Sequence, residues 1–422
     1  IEGRDLIAQA KTGSGKTAAF AISLLNRLDE TQYHTQALIV CPTRELAEQV
    51  AEEIRRLARG IPNVKTLTLC GGRPMGPQLA SLKRAPHIVV GTPGRLLKHL
   101  EKQTLKINKV ETLVLDEADR MLGMGFIEDI DDIDDYLPTT RQTLLFSATY
   151  PDEIAQLSAN FQTDPVDIRI ESDTPNAQIE EFFYEVDRVD RLQVILRLLA
   201  LHKPESTLIF CNQKHQCEQL KDDLWEEKLH ASALHGDMEQ YERDRTLIQF
   251  SNKSTSILVA TDVAARGLDI NELDLVINFE LSADPEVHVH RVGRTGRAGR
   301  AGTAASLVMR SEENRLAAIN NYRHTSHETL SPDILPAWGN VKLYPPMVTL
   351  SIGGGKRDKL RPGDLLGALT ASKEIDGISI GKINVLDKIT YVALAQESAK
   401  TALALLNEGK IKGKRYQARR LR

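Results

Sequence analysis

Short apolar runs alternate with predicted helices along most of the 422-residue chain. Each run in the first series ends in small or polar residues. Because the carboxyl ends of parallel strands meet at one edge of a sheet, this pattern predicts a doubly wound parallel sheet with a site along that edge. The predicted strands are 5–8, 37–41, 66–70, 87–90, 112–115 and 143–146.

A second series of apolar runs follows the polar stretch 171–178, which we interpret as a linker. It predicts a second α/β sheet domain without a phosphate-binding loop of its own. Prolines between 332 and 346 mark another linker, and the runs beyond it predict β-α-β-β-α-β, the order of an RNA-recognition motif. The strands of the second series are 207–211, 231–236, 256–262, 275–278 and 304–308.

One predicted strand-to-helix turn carries the residues of a phosphate-binding loop. Its glycines let backbone N–H groups surround phosphate oxygens, Lys16 can reach the β- and γ-phosphates, and the Thr17 hydroxyl can ligate Mg²⁺. Ala10 stands in place of the first glycine of the general pattern, and a Gly/Ser turn in an ordinary loop is the alternative. The predicted nucleotide site is Ala10, Lys11, Thr12, Gly13, Ser14, Gly15, Lys16 and Thr17.

Two further groups could act on a bound nucleotide. Asp116 and Glu117 end a predicted strand, where one carboxylate could hold Mg²⁺ through water and the other could orient the attacking water. Residues 290–297 place Arg294 and Arg297 three positions apart, so that a second domain could neutralise charge on the transferred phosphoryl group. An exposed basic helix would give the same arginine pattern.

Composition indicates a soluble protein with two or three domains, since 41% of residues are hydrophobic and 27% are charged. No run approaches the roughly 20 apolar residues of a membrane helix, and the start lacks a signal-peptide pattern. The four cysteines show no C-x-x-C pairing, which favours reduced thiols and a cytoplasmic location. The chain begins without a methionine, and we expect further residues upstream.

Charge is distributed unevenly. Residues 341–422 contain 16 Lys and Arg against 7 Asp and Glu, a net charge of +9, whereas residues 1–340 contain 38 against 51, a net charge of −13. A small basic module on an acidic body predicts nucleic-acid binding at the C-terminal end. The acidic segment 128–135 could suggest a metal cluster, but apolar residues recur within it at helical spacing, so we interpret its carboxylates as the outer face of a helix.

The motifs together resemble those of the DEAD-box RNA helicases. They occur in the family's order: AKTGSGKT at 10–17, PTREL at 42–46, GG at 71–72, TPGR at 92–95, DEAD at 116–119, SAT at 147–149, ATDVAARGLDI at 260–270 and HRVGRTGR at 290–297. The resemblance implies an α/β protein with two RecA-like doubly wound parallel-sheet domains, followed by a small α+β domain like an RNA-recognition motif. We expect these domains at 1–172, 179–330 and 344–422.

The resemblance also implies roles for individual residues. Lys16, Thr17, Asp116 and Glu117 would carry the chemistry of ATP and Mg²⁺, with Thr17 and Asp116 at the metal. From the second domain, Gly267 and Asp269 would complete the nucleotide pocket, and Arg294 and Arg297 would act as arginine fingers. Ser147 and Thr149 would couple hydrolysis to domain closure. The RNA backbone would be contacted by Pro42, Thr43, Arg44, Gly72, Thr92, Arg95, Gly236, Arg243 and Thr261.

The C-terminal module offers few aromatic residues for stacking RNA bases, because only Tyr391 lies near such a position. Its basic residues flank the predicted sheet instead. This atypical module, with GALT at 367–370 and GKIKGK at 409–414, resembles that of a bacterial DEAD-box subfamily that acts on large-subunit ribosomal RNA. The expected RNA-binding residues of the module are Lys356, Arg357, Lys410, Lys412, Lys414 and Arg415.

We therefore expect an ATP-dependent RNA helicase that destabilises short duplexes in 23S ribosomal RNA during assembly of the 50S subunit. Its partners would be RNA and pre-ribosomal particles, with no membrane and no obligate protein partner. Two alternatives remain. A DNA helicase would share the phosphate loop and arginines, and an ATP-gated RNA clamp would bind RNA without efficient turnover, since the family's upstream adenine-recognition segment is absent.

Overall fold

The structure is a computed structural model that describes residues 3–10, 14–149, 152–170, 179–187, 189–265, 273–296, 301–339, 343–372 and 374–421. The chain divides into two compact units, of which the structure describes residues within 3–170 and residues within 179–421. The fold is confirmed as α/β, with two parallel sheets followed by a small antiparallel sheet. Among the described helices, none is both long enough and apolar enough to cross a membrane.

The first unit contains a sheet of seven strands among the residues described, all paired in parallel. Their order across the sheet is β3-β4-β2-β5-β6-β1-β7. The elements in chain order are β1 Leu6–Gln9, α1 Lys16–Arg27, β2 Ala37–Val40, α2 Arg44–Leu57, β3 Thr66–Leu69, α3 Met75–Leu82, β4 Ile88–Gly91, α4 Pro93–Glu101, β5 Thr112–Asp116, α5 Ala118–Gly123, α6 Ile127–Asp134, β6 Gln142–Ser147, α7 Asp152–Phe161 and β7 Val166–Arg169.

Successive residues of the central strands enter two separate apolar cores, one on each face of the first sheet. On β2, Leu38 and Val40 belong to one core, while Ile39 belongs to the other. This burial on both faces explains why the strands read as continuous apolar runs. The acidic segment lies on α6, which buries Ile130 and Ile133, as the helical spacing predicted.

The second unit contains a parallel sheet with the order β10-β11-β9-β12-β13-β8-β14. If the strands of each sheet are numbered from one in chain order, the two sheets have the same strand order, 3-4-2-5-6-1-7. The elements are β8 Ile179–Glu185, α8 Arg191–His202, β9 Thr207–Cys211, α9 Lys214–Glu226, β10 Ala231–Leu234, α10 Gln240–Ser251, β11 Ile257–Thr261, α11 Asp262–Ala265, β12 Leu275–Asn278, α12 Pro285–Val292, β13 Gly302–Val308, α13 Glu313–Arg323 and β14 Thr329–Leu330.

The C-terminal module has the predicted β-α-β-β-α-β order. Its strands pair antiparallel in the order β16-β17-β15-β18, and two helices cover one face of this sheet. The elements are β15 Met347–Ile352, α14 Pro362–Thr370, β16 Ile380–Val385, β17 Thr390–Ala395, α15 Ala399–Glu408 and β18 Ala418–Arg420.

The other face of this small sheet packs against the end of α10 and the turn after it. Asn252 Nδ2 donates to Thr349 Oγ1 at 3.2 Å, and the hydroxyl of Ser254 lies 2.7 Å from the same oxygen. Tyr391, the one aromatic residue that the sequence analysis placed near a stacking position, is buried there. This burial, together with the neighbouring Tyr241 and its hydrogen bond, raises the pKa of Tyr391 to about 12. The face that an ordinary RNA-recognition motif offers to bases is covered by the second helicase-like sheet domain.

Candidate active site and nucleic-acid interface

The segment predicted to be a phosphate-binding loop lies between β1 and α1, where the sequence analysis placed it. Gly15 has a φ of +87°, a left-handed conformation that favours glycine, and α1 begins at the next residue. Lys16 Nζ donates to the carbonyl oxygen of Ala10 at 2.6 Å, and the Ala10 N–H donates to the Ser147 carbonyl at 3.0 Å. The loop is therefore tied to the end of β6. Lys11, Thr12 and Gly13 lie outside the described residues, whereas Ser14 and Thr17 lie within the described part of the loop and α1.

Two carboxylates lie at the carboxyl end of β5. Asp116 and Glu117 are 3% and 6% exposed. Burial, with the Glu117 charge as the second cause, raises the pKa of Asp116 to about 7, while Lys16 and Arg120 oppose this rise. Arg120 Nη1 donates to Glu117 Oε2 at 2.6 Å, and Glu117 has a φ of +57°. Such strain and a perturbed carboxylate at a strand end are typical of a catalytic site.

Asp119 connects the DEAD segment to the SAT segment, a contact that the sequence reasoning did not assign. Its Oδ2 accepts hydrogen bonds from the N–H groups of Ala148 and Thr149 at 3.1 Å and from Thr149 Oγ1 at 3.2 Å. Ser147 Oγ donates to the Thr149 carbonyl at 2.5 Å. Asp119 therefore links the DEAD segment directly to the SAT turn. The only sequence signal was that both motifs follow adjacent strands.

The predicted RNA-contacting residues of the first unit lie at the ends of β2, β3 and β4. The Arg44 guanidinium passes over Gly72, where an added Cβ would lie 2.0 Å from Arg44 Nη1. Gly72 also has a φ of +72°, a backbone conformation that favours glycine, and a larger residue there would displace the Arg44 guanidinium. Pro42 and Thr43 are buried, and the Thr43 hydroxyl caps α2 by accepting from the Leu46 N–H at 3.3 Å. Thr92 precedes α4, on which Arg95 lies.

In the second unit, the segment with the predicted arginine fingers is fixed by Arg291. Its guanidinium makes two hydrogen bonds with Asp262, at 2.6 and 2.7 Å, and another with Asn212 Oδ1 at 2.7 Å. Arg291 is 1% exposed and is the hub that joins α12 to the ends of β9 and β11. Arg294 lies three residues later and is also buried. Gly267, Asp269 and Arg297 lie outside the described residues.

The remaining predicted RNA-contacting residues of this unit lie near the ends of β10 and β11. Arg243, on α10, donates to the carbonyl oxygens of His235 at 3.3 Å and Ala264 at 3.4 Å. Gly236 follows His235, and Thr261 ends β11. These backbone contacts hold Arg243 beside the two loops.

The C-terminal module carries its expected RNA-binding residues on two segments, 356–357 and 410–415, which lie next to each other. Lys412 Nζ donates to the Lys359 carbonyl at 2.9 Å and lies 3.6 Å from the Asp364 carboxylate. Lys356 and Arg357 lie on a short 3₁₀ helix just before Lys359. One surface therefore carries basic residues from both segments, which we call the basic surface. It comprises Lys356, Arg357, Lys410, Lys412, Lys414 and Arg415.

Comparison with known families agrees with this arrangement. The family models described as "DEAD/DEAH box helicase", "Helicase conserved C-terminal domain" and "DbpA RNA binding domain" match residues 1–157, 187–299 and 349–420. The ATP-dependent RNA helicase DbpA of Escherichia coli is 52% identical over 100% of this chain and 92% of its own length. The ATP-dependent RNA helicase CshA of Listeria monocytogenes is 44% identical over 80% of this chain and 64% of its own length.

Solved structures show the same fold. Saccharomyces cerevisiae Dbp5 bound to RNA and ADP BeF3 gives a TM-score of 0.71 at 30% identity, covering 78% of this chain and 86% of that one. Mss116p bound to ssRNA and AMP-PNP gives 0.69 at 27% identity, covering 78% and 70%. The chain belongs to the DEAD-box family of ATP-dependent RNA helicases. Along its whole length it is similar to DbpA, including the C-terminal RNA-binding domain.

Proposed function

We propose that this helicase destabilises short duplexes in 23S ribosomal RNA during assembly of the 50S subunit, in the cytoplasm and on pre-ribosomal particles. The observation that carries the proposal is the basic surface, which lies apart from the covered sheet face. A module that grips RNA there, beside a core that contacts only the RNA backbone, would select where the core acts. Similarity over the whole chain to a protein named as an ATP-dependent RNA helicase supports RNA as the substrate.

We further propose that ATP with Mg²⁺ binds at the carboxyl edge of the first sheet. The residues fit such a ligand, because Mg²⁺ is usually held by one or two carboxylates together with phosphate oxygens, and Asp116 supplies a buried carboxylate. Thr17 would be the second protein ligand. The Lys16 amine would bind phosphate oxygens, and Glu117 would orient the attacking water. Mg²⁺ would neutralise phosphate charge during transfer.

The second helicase domain would supply Gly267 and Asp269 to the nucleotide and Arg294 and Arg297 to the transferred phosphoryl group. We propose domain limits of 1–172, 179–330 and 344–422. The residues that would contact the RNA backbone are Pro42, Thr43, Arg44, Gly72, Thr92, Arg95, Gly236, Arg243 and Thr261.

Removing residues 341–422 tests the proposed target choice. The shortened chain should retain weak RNA-stimulated ATPase activity, because both large sheets remain, but should lose its preference for 23S ribosomal RNA over an unrelated RNA of equal length. The measurement is ATPase rate against the concentration of each RNA. A shortened chain that prefers 23S RNA as strongly as the full chain would contradict the proposal.

Charge reversal tests the basic surface within the full chain. Replacing Lys410, Lys412, Lys414 and Arg415 by Glu should flatten the log–log salt dependence of 23S RNA binding by about 0.7 to 0.9 for each phosphate that the module no longer neutralises. Reversal of Lys98 on α4 and of Lys102 just after it is a matched control on the first unit and should leave the preference for 23S RNA unchanged. An unchanged slope and preference in the charge-reversed module would show that these residues only solvate the surface.

A further inference from the structure

A buried glutamine connects two of the segments that we assign to the RNA backbone. Gln78 lies on α3 and is 7% exposed. Its Nε2 donates to the Cys70 carbonyl at 3.0 Å, beside the GG turn at 71–72. Its Oε1 accepts from Arg95 Nη1 at 2.7 Å and lies 3.0 Å from His99 Nε2. One amide thus joins the end of β3 to α4.

The chemistry of the partners allows one orientation of this amide. A guanidinium has only donors, so the amide oxygen must face Arg95, and the amide nitrogen then faces the Cys70 carbonyl. His99 must therefore donate through Nε2, while its Nδ1 lies 2.8 Å from Thr104 Oγ1, whose hydroxyl donates to the His99 carbonyl at 3.0 Å. Burial, followed by the charges of Arg95 and Lys102, lowers the pKa of His99 and so favours its neutral form.

The same contacts leave part of Arg95 available for a ligand. Its Nη1 also donates to the Arg73 carbonyl at 3.0 Å, so this nitrogen is held by two acceptors from the protein. Within the described residues, Nε and Nη2 of Arg95 make no hydrogen bond to the protein. Because Nη1 is anchored, these other donors are held in one place, as a bidentate contact with a phosphate requires.

We propose that Gln78 is a positioning residue for RNA binding: it fixes the Arg95 guanidinium relative to the GG turn, so that both meet the same stretch of RNA backbone. The proposal rests on the assignment of Arg95 to RNA made above. Gln78 does not touch RNA itself. Without the Gln78 amide, Arg95 can adopt other rotamers. RNA binding must then include the entropic cost of ordering the Arg95 side chain.

The test is a double-mutant cycle of Gln78→Met and Arg95→Ala. Methionine is close to glutamine in size but has no amide, so it removes the hydrogen bonds with little change in packing. For each variant, we would measure the concentration of a single-stranded RNA that half-stimulates ATPase, the KM for ATP and the midpoint of thermal unfolding. Leu79→Gln, a partly exposed position on the same helix, is the control.

We expect Gln78→Met to raise the half-stimulating RNA concentration on the order of tenfold, the scale of one charge-assisted hydrogen bond, with the KM for ATP unchanged. In the Arg95→Ala background it should add less than threefold. If Gln78→Met does not fold, Gln78→Glu serves in the same cycle. It keeps the acceptor for Arg95, so it should weaken RNA stimulation less than Arg95→Ala does.

Two results would overturn the inference: a parental RNA requirement for Gln78→Met, or a tenfold effect that persists in full without Arg95. A purely structural role would lower the unfolding midpoint and raise the requirements for ATP and RNA together. An Arg95→Ala variant with a parental RNA requirement would instead overturn the assignment of Arg95 to RNA, and the inference with it.

Discussion

The two large sheets share one strand order but use their buried charges differently. At the edge of the first sheet, two carboxylates lie side by side, and the pKa of Asp116 is raised to about 7. In the second sheet domain, a buried charge is paired with a partly exposed charge of opposite sign: Arg291 with Asp262, and Glu181 with Arg323. The edge of the first sheet also has a buried ion pair, Glu117 with Arg120, so what distinguishes it is the second carboxylate, Asp116, whose pKa is raised. A raised carboxylate pKa is typical of functional sites, whereas paired charges also occur as purely structural contacts.

Glu117→Gln should have the largest effect on activity, and it also removes the charge that pairs with Arg120. Without the carboxylate, the attacking water loses its orienting group, so RNA-stimulated ATP hydrolysis should fall by about 10²- to 10⁴-fold. The ATP-bound protein should then accumulate on RNA. Filter binding would show this as bound RNA that does not exchange with free RNA. Hydrolysis at the parental rate would show that Glu117 does not belong to the active site. The contrast between the two sheets would then be weaker.

Arg291→Gln should have the largest effect on stability. It leaves the partly exposed Asp262 without its bidentate partner and removes the hydrogen bonds of the buried guanidinium to Asn212 and to the Glu280 carbonyl, so the free energy of unfolding should fall by about 1 to 3 kcal/mol. Urea denaturation measures this loss. Arg310→Gln is the matched control: Arg310 also pairs with a carboxylate, Glu185, but its side chain is 84% exposed, and no measurable change is expected. Equal losses in the two variants would contradict the structural role of the buried guanidinium.

Asp116→Asn should change stability in the opposite direction while abolishing turnover. Because the pKa of Asp116 is higher in the folded than in the unfolded protein, the folded state binds the proton more tightly, and stability falls as pH rises from about 4 to about 7. Because asparagine does not titrate, Asp116→Asn removes this loss of stability at higher pH. Without nucleotide and with EDTA, the variant should be more stable than the parent by on the order of 1 kcal/mol or more at pH 8, with the gain disappearing near pH 4. A variant less stable than the parent at pH 8 would contradict this.

Tyr391→Phe should have the smallest effect and extends the comparison to the third sheet. It removes one buried hydrogen bond with Tyr241, so the free energy of unfolding should fall by about 0.5 to 1.5 kcal/mol. RNA binding by the basic surface should not change, because Tyr391 is covered. A large loss of RNA affinity without loss of stability would show that the covered face opens to bind bases.

The sequence was most informative where apolar runs are continuous and where motif residues follow them. The central strands and the phosphate loop were predicted for this reason. β8 was not predicted, because Glu180 and Glu181 interrupt its apolar residues, and only the fold shows that Arg323 neutralises Glu181. β14 has only two residues. The roles of Asp119, Arg291 and Gln78 depend on contacts between distant segments, which no local pattern contains.

The covered face of the small sheet has a consequence for protein engineering. A foreign RNA-recognition motif grafted after residue 340 would bring its own base preference, but it would lack partners for Asn252 and Ser254. Its sheet would remain free to bind RNA, and its position on the helicase would be set only by the linker. To transfer RNA target preference from one such helicase to another, the turn after α10 should therefore be exchanged together with the module.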